Sequence, residues 1–148
     1  MGQTGSTMQL TRAADYAVRV MIHLATLPAQ ERALLPALAA ATGAPKSFLS
    51  KVLQALCRAG FIVSRRGQAG GFEILESGRN ASIRTVIEAI EGPICLNLCL
   101  ATGVSCNRRF YCPAHPIWTK AQEAVLDVLG AATVTELAVA PQVRSKTA

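Results

Sequence analysis

Apolar residues recur at helical spacing near the start of the chain and predict a helix from Thr11 to Thr26. Thr11 is suited to cap this helix, because its hydroxyl oxygen can accept a backbone N–H at the helix start. On the polar face, Asp15 precedes Arg19 by one turn, which favours a surface ion pair. The predicted buried face consists of Ala13, Ala17, Val20, Met21 and Leu24.

Two shorter helical patterns follow and are joined by a tight turn. The first predicts a helix from Leu35 to Thr42, which Gly43 ends, and the second a helix from Pro45 to about Ala59. This arrangement is typical of a helix-turn-helix. The second helix has an apolar face of Phe48, Leu49, Val52, Leu53 and Leu56. Its other face offers hydrogen-bond donors and cations without an acid, which suits DNA phosphates and base edges. The predicted DNA-binding residues of this helix are Lys46, Ser47, Ser50, Lys51, Gln54 and Arg58.

A basic hairpin is predicted directly after the second helix. Residues 61–64 and 72–75 have the composition of two strands, and three glycines between them permit a tight turn. Arg65, Arg66 and Gly67 lie in this turn, where the two arginines would reach a phosphate or a narrow minor groove. A hairpin that follows a helix-turn-helix in this way is predicted to be a wing.

The second half of the chain predicts three further helices. Ser82 is placed to cap a helix over residues 83–91, a long helix starts at Pro116 and runs to about Gly130, and residues 133–136 form a capping box for a last short helix. The long helix is apolar around more than half of its circumference, which is more than one small domain covers. It therefore predicts a symmetric homodimer, with burial inside one chain as the alternative. The predicted interface residues are Trp118, Ala121, Val125 and Leu129.

Composition narrows the range of functions. A chain of 148 residues that is 51% hydrophobic suits one domain, or a small domain with an appendage. Its net charge of +6 is unevenly distributed along the chain. Residues 1–75 hold eight Lys/Arg and three Asp/Glu, whereas residues 76–148 hold seven Lys/Arg and six Asp/Glu. The basic excess thus lies with the predicted wing and helix-turn-helix and favours a polyanionic partner. No apolar run is long enough to span a membrane and no secretory signal is evident, so we expect a cytoplasmic protein.

Four of the five cysteines and one of the two histidines lie between residues 95 and 115, in a stretch that is predicted to be a loop. Thiols gathered on a loop suggest disulfides, a zinc ion or an iron–sulfur cluster. Cytoplasmic thiols stay reduced, and the spacing is not the paired pattern of most zinc fingers. The residues therefore favour an iron–sulfur cluster and leave zinc, structural disulfides or free thiols as alternatives. Cys57, outside this stretch, is predicted to be a small core residue.

Five short motifs occur in a fixed order along the chain. They are Leu10-Thr-Arg-Ala-Ala-Asp-Tyr-Ala-Val-Arg19, Phe48-Leu49-Ser-Lys51-Val-Leu53, Arg66-Gly67 with Gly70-Gly71, Ile90-Glu-Gly-Pro93, and Cys112 with Trp118. From about Met8 to Leu137 the chain resembles the Rrf2 family of bacterial winged-helix transcription regulators. Two residues depart from the family pattern: Glu73 stands where a basic or neutral residue is expected and would weaken phosphate contact, and Cys95 is an extra cysteine.

The resemblance implies that Cys99, Cys106 and Cys112 bind an iron–sulfur cluster and need a fourth ligand. His115 stands where IscR-like members use a histidine on a 2Fe-2S cluster. Asp15 stands where NsrR-like members supply a carboxylate from the other subunit to a 4Fe-4S cluster. Either non-thiolate ligand suits a sensor, because its bond is the easier one to exchange, and of the two we favour Asp15 and a 4Fe-4S cluster. Without such a role, Asp15 is the partner of Arg19 and His115 is a helix cap or a surface residue.

The predicted fold is mainly α with a small β-hairpin wing: a winged helix-turn-helix domain plus a long dimerisation helix. Residues 1–7 are predicted to be a disordered leader, 8–80 the DNA-binding domain, 81–140 the cluster-binding loop and dimerisation helices, and 141–148 a disordered tail. The predicted function is that of a homodimeric regulator of double-stranded operator DNA that senses redox, nitric oxide or iron status. The alternative is a winged-helix regulator with structural zinc or no metal, which senses through its thiols. An enzyme is not predicted, because no redox pair, phosphate-binding glycine loop or acid/base pair is evident.

Overall fold

The computed structural model describes residues 10–101, 103 and 106–140. The predicted leader at 1–7 and tail at 141–148 lie outside these residues. Within them, helices and one antiparallel hairpin confirm the predicted class, mainly α with a small β-hairpin. No helix in this part of the chain is long and apolar enough to cross a lipid bilayer. In chain order the elements are α1 (Arg12–Thr26), α2 (Leu35–Thr42), α3 (Lys46–Arg58), β1 (Ile62–Arg65), β2 (Gly71–Ile74), α4 (Glu76–Arg79), α5 (Ile83–Glu91), α6 (His115–Ala131) and α7 (Val134–Val139).

Helix α1 lies at the centre of the core, where α2, α3, α5 and α7 pack against it. Thr11 caps it as predicted, since its hydroxyl accepts a hydrogen bond from the N–H of Ala14 at 3.2 Å. Because neighbours pack on several sides, the buried sector differs slightly from the predicted stripe. Ala14 is fully buried, whereas Ala13 packs at the edge of the core and is partly exposed. The buried residues are Ala14, Ala17, Val20, Met21 and Leu24.

Helices α2 and α3 form the predicted helix-turn-helix. Gly43 ends α2 in the left-handed conformation, with a φ of 74°, which a glycine adopts without a steric penalty. Four of the five predicted core residues of α3 are buried, namely Leu49, Val52, Leu53 and Leu56. The prediction for Phe48 is wrong, because this residue is 38% exposed. It lies in the first turn of α3, at the edge of the core, where its ring packs edge-on against Tyr16 with centroids 5.7 Å apart.

Strands β1 and β2 form the predicted hairpin, each shifted by one residue from its predicted bounds. Ile62 pairs with Ile74, and both are buried at the base of the hairpin. The loop before α2 adds a third short segment to this sheet. Ala33 pairs with Phe72 through two backbone hydrogen bonds, of 2.8 and 3.0 Å. The wing is therefore attached through β2 to the loop that precedes α2.

The C-terminal part of the chain returns to the core. Ser82 caps α5 and Thr133 forms the capping box of α7, both as predicted. Val134 is fully buried in the same core cluster as α1. A backbone hydrogen bond of 2.9 Å from Val134 to Ala81 joins the starts of α5 and α7. One core thus extends across residue 80, and the predicted domain division there stays a prediction.

Helix α6 begins one residue before the predicted Pro116 and ends at Ala131. None of its residues is buried within one chain. Ile117 and Val128 are 60% and 71% exposed. Among the elements described, the helix packs mainly on α5 and on a short 3-10 turn over Leu98–Leu100. The alternative of a long helix buried inside one chain is therefore wrong.

Candidate nucleic-acid interface and cysteine segment

The exposed face of α3 carries all six predicted DNA-binding residues of this helix. Five of them are exposed and Ser50 is half-buried. The Ser50 hydroxyl donates a hydrogen bond of 3.1 Å to the carbonyl oxygen of Lys46, one turn earlier. Leucines on the opposite side hold the helix in the core, so this face is fixed outward. The residues brought together are Lys46, Ser47, Ser50, Lys51, Gln54 and Arg58.

A groove of about 550 Å³ separates α3 from the wing. Gln54 and Arg58 line it from α3, and Ser64 and Phe72 line it from the hairpin. Cys57 also lines this groove; it packs against the core but is only partly buried, so the prediction of a core residue holds in part. Burial raises the pKa of the Cys57 thiol, and a hydrogen bond from the Ser64 backbone opposes that shift to a smaller extent. The groove is thus lined by polar side chains of both predicted DNA-binding elements, with the Cys57 thiol beside them.

Arg65, Arg66 and Gly67 lie exposed in the wing. Gly67 has a φ of 102°, a conformation that side chains rarely adopt. At Gly70 a Cβ atom would lie 2.8 Å from the carbonyl oxygens of Arg65 and Gly67. The turn is therefore compact because of its glycines, and the two arginines lie beside it on an exposed edge.

Glu73, the predicted departure in the wing, is paired with a residue of the body. Its carboxylate lies 3.2 Å from the guanidinium nitrogen Nε of Arg32, and only 16% of its side chain is exposed. The negative charge is therefore compensated within the protein. This pairing removes the reason to expect that Glu73 repels a phosphate at the wing.

The described part of the cysteine segment, residues 95–101, 103 and 106–115, contains several short turns. Cys99 lies in the 3-10 turn, an element that the sequence pattern does not predict. Backbone hydrogen bonds connect Arg109 to Cys106 at 3.2 Å and Cys112 to Arg108 at 2.7 Å. All five cysteines of the chain are described, and each is a free, partly buried thiol. The segment therefore holds its thiols on turns, without disulfides.

The structure does not bring the predicted ligands together. Over residues 10–101, 103 and 106–140, no three His, Cys, Asp or Glu side chains are placed to hold one metal ion. The donor set fits an iron–sulfur cluster by its chemistry, because Cys99, Cys106 and Cys112 are accessible thiols and soft sulfur donors match iron. The extra Cys95 donates its S–H to the carbonyl oxygen of Asn97. The ligand set stays a prediction.

The two candidate fourth ligands both lie at helix starts. Asp15 forms the predicted ion pair with Arg19 at 2.8 Å, and about half of each side chain is exposed. An exposed pair of this kind contributes at most about 1 kcal/mol, so the carboxylate can exchange its partner at little cost. His115 is the first residue of α6, and Ala114 rather than His115 is its N-cap. The interpretation of His115 as a helix cap is therefore wrong, while its role as a ligand stays a prediction.

Side-chain hydrogen bonds join the start of α1 to the end of α5, and the cysteine segment to α6. Glu91, at the end of α5, accepts hydrogen bonds from the backbone N–H and the hydroxyl of Thr11. Gln122 of α6 accepts one of 2.9 Å from the N–H of Leu96. The start of α1, which carries Asp15, is thus joined to the helix that leads into the cysteines.

Three of these contact residues are not found by sequence reasoning. Glu91 lies within the Ile90-Glu-Gly-Pro93 motif, which was the one available signal. Arg32 and Gln122 give no local signal, because their partners lie 41 and 26 residues away in the chain.

The fold and its exposed basic face define a winged helix-turn-helix protein. Residues 10–140 match the Rrf2 family, which is described as an iron-dependent transcriptional regulator, and the chain belongs to this family. The predicted resemblance is thereby confirmed. The family consists of transcription regulators rather than enzymes, which confirms that prediction also.

Individual relatives agree with this assignment. The chain is 32% identical to the transcriptional regulator NsrR of Geobacillus kaustophilus over 131 residues, which are 88% of this chain and 89% of that protein. It is 29% identical to IscR of Vibrio cholerae over 130 residues, 88% of this chain and 75% of that protein. An HTH-type regulator of Mycobacterium tuberculosis is 38% identical over 87 residues, so the match spans 59% of this chain and only 54% of that relative.

Solved structures show the same fold. Staphylococcus aureus CymR matches with a TM-score of 0.72 and 26% identity, over 88% of this chain and 98% of that one. IscR of T. potens matches with a TM-score of 0.69 and 20% identity, over 92% and 88% of the two chains. At 20% identity, the second likeness supports the fold alone.

Proposed function

We propose that the protein is a homodimeric transcription regulator that binds double-stranded operator DNA in the cytoplasm and senses redox, nitric oxide or iron status through an iron–sulfur cluster. The observation that carries the proposal is the exposed polar and basic surface that α3 and the wing form on the two sides of the groove. Gln54 and Arg58 line the groove from α3, Lys51 is exposed on the same helix, and Arg65 and Arg66 are exposed on the wing. Helix α3 would read the major groove, and the wing arginines would contact the adjacent backbone.

Dimerisation through α6 would place two such surfaces on a pseudo-palindromic operator. Trp118 and Val125 are each 41% exposed, although both are large and apolar. Ala121 and Leu129 are half-buried, and Leu129 also packs against the core. A second copy of α6 would cover this face, which one chain leaves open.

The cluster would be held by Cys99, Cys106 and Cys112 with a fourth ligand, and we favour Asp15 of the second subunit and a 4Fe-4S centre over His115 and a 2Fe-2S centre. When bound, such a cluster supplies iron that reacts with oxidants and nitric oxide. Asp15 bound in this way would hold the winged helix-turn-helix to the cysteine segment. If the bond to the cluster were broken, the Asp15 carboxylate would return to Arg19. Two states with different wing positions would then differ in their affinity for DNA.

Operator binding tests the proposal. Arg65→Ala combined with Arg66→Ala should weaken binding and lower the slope of log K against log salt by about one unit for each lost phosphate contact. The measurement is fluorescence anisotropy over a salt series, with a duplex that the parent protein selects from a randomised pool. Gln54→Ala is the matched contrast, because loss of a base contact should relax sequence preference and leave the slope unchanged. An unchanged slope in the double variant would place the wing off the DNA.

A second candidate is a regulator that senses through its thiols without a cluster, or with structural zinc. It is favoured by the separation of the predicted ligands and by the likeness to CymR, named the global cysteine regulator of B. subtilis. Purification without oxygen distinguishes the two functions. Visible absorbance with matching iron and sulfide supports the cluster, whereas colourless protein, with or without zinc, supports the second candidate.

A further inference from the structure

Arg32 connects the body of the protein to the wing at two points. Its Nε atom lies 3.2 Å from Oε2 of Glu73 on β2, and its Nη1 atom donates a hydrogen bond to the carbonyl oxygen of Ala69 in the wing turn. The two charged side chains are only 30% and 16% exposed. Because solvent screens them less than a surface pair, this contact is expected to hold its geometry better than an exposed ion pair.

The backbone beside Arg32 is attached to the wing as well. Ala33 and Phe72 exchange two hydrogen bonds. Gly71 makes this approach possible, because it has a φ of 131° and a Cβ atom there would lie 2.8 Å from the carbonyl oxygen of Ala33. The segment 32–33 therefore acts as a support along the outer strand of the hairpin.

Glu73 and Arg65 lie on the same face of the hairpin. Glu73 pairs with Val63 and Arg65 pairs with Gly71, two positions apart, so their side chains are diagonal neighbours. A carboxylate in this position would attract Arg65 away from DNA unless another cation held it. Arg32 supplies that cation.

We propose that Arg32 is a positioning residue for DNA binding. It fixes the wing against the body and engages Glu73, so that Arg65 and Arg66 keep their reach to the DNA backbone. The proposal rests on the proposed DNA-binding function and adds to it a residue outside the recognition helix and the wing. Arg32 acts through the wing and contributes no phosphate contact of its own.

The first test measures binding of the full chain to the duplex selected from a randomised pool. Arg32→Ala should weaken binding about tenfold, the factor that corresponds to one hydrogen bond between charged groups. Arg32→Lys should retain more affinity, because it keeps a cation beside Glu73. Lys120→Ala is the control, since it removes the same charge from an exposed position on α6. Equal binding by the parent and Arg32→Ala would overturn the proposal.

A charge exchange separates positioning from a general charge effect. Arg32→Glu should bind more weakly than Arg32→Ala, because it places two carboxylates together. Adding Glu73→Arg to that variant restores the opposite pair and the net charge of the parent, and should recover most of the affinity. If the double exchange binds no better than Arg32→Glu, Arg32 acts by its own charge on DNA and the proposal is wrong.

Hydrogen exchange of the free protein tests the wing without DNA. Amides of residues 65–71 should exchange faster in Arg32→Ala than in the parent and in Lys120→Ala, while those of α1 stay unchanged. Unchanged wing exchange would contradict the proposed support. A parent that selects and binds no duplex would instead remove the DNA-binding function, so the two failures are distinct.

Discussion

Two regions of the molecule are stabilised in different ways. One is the winged half, residues 10–87, and the other is the region from the cysteine segment through α6. All buried apolar residues but Val134 precede residue 88, and no described residue from 88 to 133 is buried. The winged half therefore completes its core within one chain, with α5 and with Val134 of α7. The cysteine segment and α6 gain little burial there, which leaves their geometry open to a partner subunit or a bound metal. The difference separates a core that one chain completes from the cysteine segment and α6, which lie mostly outside that core.

The largest effect is expected where the two regions would be joined by the fourth ligand. Asp15→Ala should lose or alter the cluster when the protein is reconstituted without oxygen, while His115→Ala keeps a near-parent spectrum. The measurement is visible absorbance together with iron and sulfide content. The reverse pattern, with a 2Fe-2S spectrum in the parent, would assign His115 as the ligand. If both variants keep the parent spectrum, Cys95 becomes the first candidate.

Next in size is the effect of a charge on the uncovered face of α6. Val125→Glu should dissociate the dimer, because an unpaired carboxylate in the interface costs about 3–5 kcal/mol. Mass in solution at micromolar concentration gives the result. Lys120→Glu is the control, since residue 120 lies on another face of the helix. A Val125→Glu variant that stays folded and dimeric would remove this face from the interface.

A pair of Leu→Ala variants compares the stability of the two regions directly. Leu56→Ala should lower the free energy of unfolding by about 2–5 kcal/mol, because this residue is fully buried in the winged half. Leu98→Ala, in the cysteine segment where Leu98 is 66% exposed, should change it by no more than about 0.5 kcal/mol. Urea unfolding followed by circular dichroism measures both. Equal losses would show that the second region shares the stability of the first.

The smallest expected effect concerns the capping box that returns the chain to the core. The hydroxyl of Thr133 accepts a hydrogen bond of 3.3 Å from the N–H of Glu136. Thr133→Ala should therefore lower the free energy of unfolding by about 1 kcal/mol. Val139→Ala is the comparison, because Val139 lies on the same helix and is 77% exposed, and thermal unfolding is the measurement. No loss in Thr133→Ala would mean that burial of Val134 alone holds α7.

The same capping box predicts a pH dependence. Hydrogen bonds from the backbone and side chain of Thr133 hold the pKa of Glu136 below its ordinary value. The carboxylate therefore contributes stability above its ordinary pKa, and this contribution is lost as the pH falls through the lowered pKa. An NMR titration should show the pKa of Glu136 rising toward its ordinary value in Thr133→Ala. An unchanged titration would show that the side-chain contact does not act on the carboxylate.

Local chemistry made much of the fold predictable from the sequence alone. Apolar residues at helical spacing predicted α1, α2, α3 and α5 to within about a residue. The caps at Thr11, Ser82 and Thr133 followed from side chains that accept backbone N–H groups nearby in the chain. The exposed face of α3 and the glycines of the wing were readable for the same reason, since each depends on neighbours only a few residues away.

Tertiary packing decided the features that depend on distant parts of the chain. The partial exposure of Phe48 is set by the edge of the core, and the pairing of Glu73 is set by Arg32, 41 residues earlier. Glu91 meets Thr11 across 80 residues, a contact that no local pattern predicts. The sequence by itself determined which residues form helices, caps and a donor-rich face, because those properties follow from local spacing. Only the folded chain decided which charges of distant elements meet, as Arg32 and Glu73 do, because such pairs depend on elements that packing brings together.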